Sequence, residues 1–158
     1  MDRIDAAAAA GFRGVEYHFS YQWPAPELAG RLAEHGLEQV QINAPPGDWQ
    51  AGNRGLAGLP GREGEFRDSI NQAIDYAKAL NCPLVQVMAG IVDQVSELDV
   101  ELETLAENLN VATETCKKEG IGVLIEALNP DDIDEICKRL RALEKTWSDY
   151  ISYGTEAA

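Results

Sequence analysis

Short apolar runs rich in β-branched residues alternate along the chain with longer stretches whose apolar residues recur at helical spacing. The predicted strands are VEYHF (15–19), QVQIN (39–43), LVQVM (84–88) and GVLIEAL (122–128). The predicted helices cover residues 2–10, 24–36, 62–80 and 98–118. Strands that alternate with helices of this length form βαβ units, so the sequence predicts a parallel sheet of about four strands, covered by helices through right-handed crossovers.

The residues at the helix ends support these boundaries. Pro24 and Pro26 stand at the start of the second helix, and Gly36 follows its last turn. Asn81 and Pro83 follow the third helix, where proline prevents its continuation.

Length and charge limit the class of protein. With 158 residues, 45% of them hydrophobic, the chain can form one domain with a real core. A net charge of −14 and a pI near 4.4 argue against nucleic acid and anionic membranes as partners, because both are polyanions. Cys82, Cys116 and Cys137 form no CxxC pair, and no apolar segment approaches the ~20 residues of a membrane span. We therefore expect a cytoplasmic protein with reduced thiols.

The stretch INAPPGDWQAGNRGLAGLPGREGEF, residues 42–66, joins the second predicted strand to the third helix. Such connections usually run to about six residues or fewer, and much longer ones are either functional or disordered. The glycines do not form a phosphate-binding loop, because no GK[ST] follows them and no GxGxxG opens a helix. The sequence alone leaves both interpretations of this stretch open.

Three segments together resemble the hydroxypyruvate isomerase family, which consists of sugar-isomerase-like TIM barrels. They are GFRGVEYHFSY, INAPPGDWQAGNRGLAGLPGREGEFRDSINQAIDYAKAL and VLIEALNP. The resemblance covers residues 1–130, and it implies that the four strands are the second to fifth of a (β/α) barrel. We therefore expect a partial TIM-barrel-like domain over residues 1–130, while residues 131–158 match no part of the family.

The resemblance also implies an activity, the interconversion of hydroxypyruvate and 2-hydroxy-3-oxopropanoate through an enediol. This reaction of carbohydrate metabolism needs a carboxylate acid/base and stabilisation of an oxyanion, for which Mg or Mn is suited. Glu126 matches the family's carboxylate at the end of the fifth strand, so it is the expected catalytic residue and metal ligand. Alternatively, Glu126 has no catalytic role and is a glutamate at a strand end whose side chain reaches solvent or pairs with an arginine.

Loops after the carboxyl ends of barrel strands build the active site, so the 42–66 stretch is expected to cover a small keto-acid substrate. The predicted substrate-binding residues are Asn43 at the strand end, Trp49 as an apolar cover, Arg54 or Arg62 for the carboxylate, and His18. Arg62 has an alternative, since it can pair with Glu63 or Glu65 at the helix start.

Residues 131–150 carry apolar side chains at alternating spacings of three and four, which predicts a C-terminal amphipathic helix. Together with the unmatched tail, this helix leads to a second hypothesis for the chain. In it, the chain is a catalytically inactive, truncated or chimeric half-barrel, a structural module that forms homo-oligomers to cover its exposed sheet edges.

Overall fold

A computed structural model describes residues 2–91 and 98–125 of the chain. Helices and strands alternate throughout this part, which confirms the predicted architecture. The elements are α1 (Asp2–Ala9), β1 (Gly14–Tyr17), α2 (Ala25–His35), β2 (Glu38–Asn43), α3 (Glu63–Ala79), β3 (Leu84–Val87), α4 (Leu98–Lys118) and β4 (Gly122–Ile125).

The four strands form one parallel sheet in the order β1-β2-β3-β4. Each crossover therefore advances by one strand in the same direction, as in a (β/α) barrel, whereas a doubly wound sheet reverses its strand order. In register, Asn43 of β2 pairs with Gln86 of β3, and Gln86 pairs with Leu124 of β4. The predicted fold class, a parallel four-stranded TIM-barrel-like sheet with flanking helices, is confirmed for the described part of the chain.

The hydrophobic core lies between the sheet and the helices. Ile42, Val85 and Val123 occupy paired positions on one face of neighbouring strands, and all three are buried. The helices supply the other side of this core, with Phe66, Ile70, Ala73 and Ala77 from α3 and Leu105, Leu109, Ala112 and Cys116 from α4. These are helical-spacing positions, so the apolar period of the sequence identified the buried face of both helices.

Two predicted strands end earlier than the sequence pattern indicates. β1 ends at Tyr17, so His18 and Phe19 belong to the following loop, and β3 ends at Val87, so Met88 does as well. Beyond the end of β3, the carbonyls of Met88 and Ala89 accept hydrogen bonds from the 42–66 stretch. The described part of the fourth predicted strand is Gly122–Ile125, and residues 126–128 lie outside the described residues.

Several other predictions also fall outside that part of the chain, namely the position of Cys137, the domain boundary at residue 130 and the helix over residues 131–150. Within it, Cys82 and Cys116 are free and buried, and burial raises the pKa of the Cys116 thiol to about 11. No helix among the described residues is long and apolar enough to cross a membrane.

Candidate active site

The connection between β2 and α3, residues 44–62, is an ordered and packed segment, which we call the long loop. Its central part runs antiparallel to the end of β3, where Gly55 and Ala89 form a bridge. The amides of Ala57 and Gly58 donate to the carbonyls of Met88 and Ala89 at 3.3 and 2.7 Å. Leu56 and Ala57 are buried. The long loop is therefore ordered, and its functional interpretation stays a prediction.

The tip of the long loop, residues 48–54, is closed by hydrogen bonds of its own. The Asp48 carboxylate accepts from the amides of Gln50 and Ala51 at 3.0 and 3.1 Å. The side-chain oxygen of Asn53 accepts from the Asp48 amide at 3.0 Å, and the Asn53 amide donates to the Asp48 carbonyl. This Asx-type turn fixes the backbone on both sides of Trp49.

Trp49 and Arg54 stack at this tip. The guanidinium carbon of Arg54 lies 3.7 Å from the centroid of the Trp49 ring, a cation–π contact. Its Nη1 donates to the carbonyls of Trp49 and Asn53 at 3.2 and 2.8 Å, so the side chain is held on both sides. Arg54 is half-buried, and an arginine fixed in this way is suited to bind a carboxylate.

The loop after β1 meets this pair. The ring of Phe19 packs 4.9 Å from that of Trp49, and the ring of His18 lies 5.9 Å from that of Phe19. The structure therefore brings together three residues predicted separately, His18, Trp49 and Arg54, and adds Phe19. The sequence analysis did not single out Phe19, whose contact with Trp49 joins two loops that are distant in sequence.

Asn43 is the last residue of β2 and is buried. The Tyr21 hydroxyl donates to its backbone carbonyl at 2.6 Å, and burial raises the pKa of Tyr21, so this donor stays protonated. The Asn43 side-chain nitrogen lies 3.8 Å from the sulfur of Met88. Tyr21 in turn packs edge-on against Tyr76 of α3, which ties the carboxyl edge of the sheet to the helix layer.

Arg62 forms an ion pair at the start of α3, which the sequence analysis gave as the alternative to substrate binding. It donates from Nε and Nη2 to the two carboxylate oxygens of Glu65 at 2.8 and 2.6 Å, and from Nη1 to the side-chain oxygen of Asn53 at 3.0 Å. Arg62 thus joins the loop tip to the start of α3. Its role as a substrate ligand stays a prediction, and Arg54 is the better placed of the two arginines.

A second polar group lies on the sheet itself. The side-chain nitrogen of Gln41 donates to the side-chain oxygen of Gln86 across neighbouring strands at 3.0 Å. Gln39 donates to the Gln41 carbonyl at 2.7 Å. The sequence analysis did not single out these residues, although QVQIN carries a signal, since its first, third and fifth residues are amides.

The described residues do not assemble a metal site by themselves. Within residues 2–91 and 98–125, no group of three or more His, Cys, Asp or Glu side chains is close enough to hold an ion. Glu126, the predicted catalytic residue and metal ligand, lies outside the described residues. Metal binding therefore stays a prediction that depends on the resemblance.

A parallel sheet whose crossovers advance by one strand, with an ordered loop and polar side chains at its carboxyl edge, defines part of a (β/α) barrel. The sequence matches the model of the xylose isomerase-like TIM barrel over residues 4–149. The chain belongs to this family, which confirms the resemblance recognised from its motifs.

Curated relatives carry isomerase names. The chain is 42% identical over 153 residues to the 2-oxo-tetronate isomerase of Cupriavidus necator, covering 90% of this chain and 59% of the relative. It is 44% identical over 133 residues to the hydroxypyruvate isomerase of Escherichia coli, covering 84% and 52%. The chain thus spans about half the length of the curated relatives it matches.

Among solved structures, the chain is similar to one described as an AP endonuclease, family 2, from Brucella melitensis. The TM-score is 0.80 at 39% sequence identity, covering 88% of this chain and 58% of that one. An L-ribulose 3-epimerase matches with a TM-score of 0.65 at 17% identity, a likeness that shows the fold alone.

Proposed function

We propose that this chain carries the substrate-binding loop and the catalytic carboxylate of an isomerase that acts on short hydroxy-2-keto acids. The observation that carries the proposal is the loop tip, where Arg54 is fixed over Trp49 at the carboxyl edge of a barrel-type sheet. The names of the relatives, hydroxypyruvate isomerase and 2-oxo-tetronate isomerase, support the reaction class.

In this proposal the Arg54 guanidinium binds the substrate carboxylate. Its Nη1 is engaged by two backbone carbonyls, which leaves Nη2 and Nε for the ligand within the contacts of the described residues. Trp49 and Phe19 supply an apolar cover that excludes water and strengthens this charge pair. Asn43, buried at the end of β2, donates to an oxygen of the substrate.

Glu126, which follows the last described residue of β4 in the sequence, is the proposed base. It removes the proton from the hydroxyl-bearing carbon, the electron pair forms the enediol, and a proton returns to the former carbonyl carbon. A second proton moves from the hydroxyl oxygen to the former carbonyl oxygen, so the product is the isomeric hydroxy-aldehyde or hydroxy-ketone acid. Mg or Mn is the proposed cofactor. The described residues do not assemble its site, so no step is assigned to the ion.

The test is an isomerase assay on the 158-residue chain with hydroxypyruvate and with 2-oxo-tetronate, in the presence of Mg or Mn. Losing a charge-assisted hydrogen bond of about 1.5–3 kcal/mol should raise KM by about ten- to a hundredfold in Arg54→Met. The matched control is Arg67→Met, an exposed arginine of α3, which should keep the wild-type KM.

The two variants also separate the hypotheses. If Arg54→Met and Arg67→Met change the KM equally, the assignment of Arg54 as the residue that binds the substrate carboxylate is wrong. A chain that neither turns over nor binds either acid contradicts the isomerase proposal and favours the inactive half-barrel, with its homo-oligomer detectable by sedimentation.

A further inference from the structure

Asn53 lies at the centre of the hydrogen bonds that shape the loop tip. Its backbone amide donates to the carbonyl of Asp48 at 2.9 Å, and its backbone carbonyl accepts from Nη1 of Arg54 at 2.8 Å. Its side-chain oxygen accepts from the Asp48 amide at 3.0 Å and from Nη1 of Arg62 at 3.0 Å. This residue therefore connects both ends of the loop tip to the start of α3.

The Asn53 side chain is also confined by its packing. A Cβ at Gly47 would lie 2.6 Å from the Asn53 side-chain oxygen and 3.2 Å from the Asn53 Cβ, so Asn53 occupies space that any other residue at position 47 would fill. A carboxamide oxygen has two lone pairs, and here one donor comes from the loop and the other from the helix start. The side chain is therefore held by packing as well as by hydrogen bonds.

Arg62 connects the Asn53 oxygen to α3. Its Nε and Nη2 donate to the two carboxylate oxygens of Glu65, a bidentate pair that fixes the plane of the guanidinium, and its Nη1 donates to Asn53. The ion pair is partly exposed, so it contributes orientation more than stability. All three guanidinium nitrogens of Arg62 thus donate to protein groups, whereas Arg54 uses only Nη1 within the described part of the chain.

The orientation of Arg54 depends on this arrangement. Its Nη1 donates to the backbone carbonyls of Trp49 and Asn53, which belong to the turn that the Asn53 oxygen closes. The Trp49 ring, on which the guanidinium stacks, belongs to the same turn. Ordering a long side chain during binding costs affinity, so a guanidinium that is already held before the ligand arrives binds more tightly.

We infer that Asn53 is a positioning residue of the candidate active site, whose side-chain oxygen, held by the Arg62–Glu65 pair, keeps Arg54 in the orientation that binds the substrate carboxylate. Arg62 acts through Asn53 and does not contact the substrate. This inference rests on the proposed function, because it assigns a task to the groups that support Arg54. Loosening the loop tip should therefore weaken binding of the carboxylate and leave the proton transfer at Glu126 unchanged.

Steady-state kinetics of the 158-residue chain with hydroxypyruvate and Mg or Mn provide the first test. Asn53→Ala should raise KM by about tenfold, because Arg54 must then be ordered during binding, and should change kcat by less than about threefold. Asn53→Asp keeps an acceptor oxygen at the same place, so its KM should stay within about threefold of the wild-type value. A lowered kcat at unchanged KM in Asn53→Ala would contradict a role in binding.

Double mutants test whether Asn53 and Arg62 act through Arg54. In the wild type, Asn53→Ala and Arg62→Met should each raise KM. In an Arg54→Met background, each should raise it by less than about twofold further, because the group that they position is gone. A full additional increase for Arg62→Met would show that Arg62 binds the substrate itself. A full additional increase for Asn53→Ala would show a general effect on the fold, and either result would overturn the inference.

Two control variants separate positioning from chemical change and from loss of stability. Asn71→Ala makes the same substitution on the exposed surface of α3 and should keep the wild-type KM. Ile74→Val removes a methylene group from the buried face of α3, so it should lower the free energy of unfolding and leave KM unchanged. If Ile74→Val raises KM as much as Asn53→Ala, loss of stability explains both results and the inference is wrong.

The fluorescence of Trp49 reports on the loop tip without any turnover. The emission of Trp49 is the difference between each chain and its Trp49→Phe counterpart. This emission should change in Asn53→Ala, because the ring loses its stacked guanidinium, and should return to the wild-type spectrum in Asn53→Asp.

Calorimetry with 2,3-dihydroxypropanoate, an unreactive carboxylate, separates this inference from the proposed function. Asn53→Ala should bind this probe about tenfold more weakly than the wild type does. If the wild type binds the probe but lacks turnover, the isomerase proposal fails, and weaker binding in Asn53→Ala still supports the inference. A wild type that does not bind the probe, or an Asn53→Ala variant with unchanged binding and unchanged Trp49 emission, overturns the inference whatever the activity.

Discussion

Asn108 of α4 donates from its side-chain nitrogen to the backbone carbonyl of Ala57 at 2.8 Å, and both residues are buried. This bond connects the long loop to a helix 51 positions further along the chain. Together with the bridge between Gly55 and Ala89, it clamps the middle of the loop between β3 and α4. The residues that we propose for substrate binding therefore project from a fixed base.

The first prediction is that Asn108→Ala lowers the free energy of unfolding by about 1–3 kcal/mol, because it leaves the buried Ala57 carbonyl without its donor. Urea denaturation measures this change. Asn71→Ala on the exposed surface of α3 is the matched control and should be neutral or slightly stabilising, since alanine is the better helix former. Equal effects of the two substitutions would show that the Asn108 bond contributes nothing specific.

The second prediction concerns Gly55, whose φ is +129° and where a Cβ would lie 2.2 Å from the carbonyl oxygen of Met88. Gly55→Ala should therefore cost about 3 kcal/mol or more, because both the backbone conformation and the close approach to β3 exclude a side chain. Gly64→Ala is the control, since nothing lies within 4 Å of its Cβ position in the first turn of α3. A Gly55→Ala variant as stable as Gly64→Ala would contradict the described loop.

Periodicity predicted the order and type of the elements, because burial of one face leaves a repeat of 2 or 3.6 in the sequence. It could not predict the partner of Ala57, since Asn108 reads as one more polar residue of an amphipathic helix. The composition of the long loop marked it as exceptional, but its bonds to Met88 and Ala89 are long-range and leave no local pattern.

The same difference between local and long-range contacts explains which parts of the candidate site could be predicted. Trp49 and Arg54 are five residues apart, so their proximity follows from a tight turn, whereas contact with Phe19 depends on strand pairing. The polar side chains on the sheet could have been found from the alternation of Gln41 and Asn43. Polar residues at every second strand position are typical of a solvated face, however, and only the burial of Asn43 and Gln86 shows otherwise.

The third prediction is that the 158-residue chain binds Mg or Mn more weakly than about 10⁻⁴ M. A hard divalent cation needs about six oxygen ligands, and Glu126 is the one ligand carried over from the resemblance. The described residues add no group of three acidic, His or Cys side chains. Isothermal titration calorimetry measures the affinity. Stoichiometric micromolar binding that disappears in Glu126→Gln would show that further ligands complete the site within this chain.

The last prediction is that Asp5 stabilises the contact between α1 and α2 in a pH-dependent way. Its carboxylate is hydrogen-bonded by Arg31 at 2.6 Å and lies 3.0 Å from His35, so these groups, Arg31 first, hold its pKa below the ordinary value of 3.8. A carboxyl with a lowered folded-state pKa contributes stability above its unfolded pKa and loses it as the pH falls through the folded one.

The urea midpoints of the wild type and of Asp5→Asn should therefore differ most at pH 6 and converge as the pH is lowered below about 4. Because the Asp5 side chain is only half-buried, added salt should also reduce the difference at pH 6. Asp68→Asn, an exposed carboxylate of α3 with no ion pair among the described residues, is the control and should run parallel to the wild type. A difference between wild type and Asp5→Asn that is constant from pH 6 to 2.5 would mean that the Asp5 charge does not hold the two helices together.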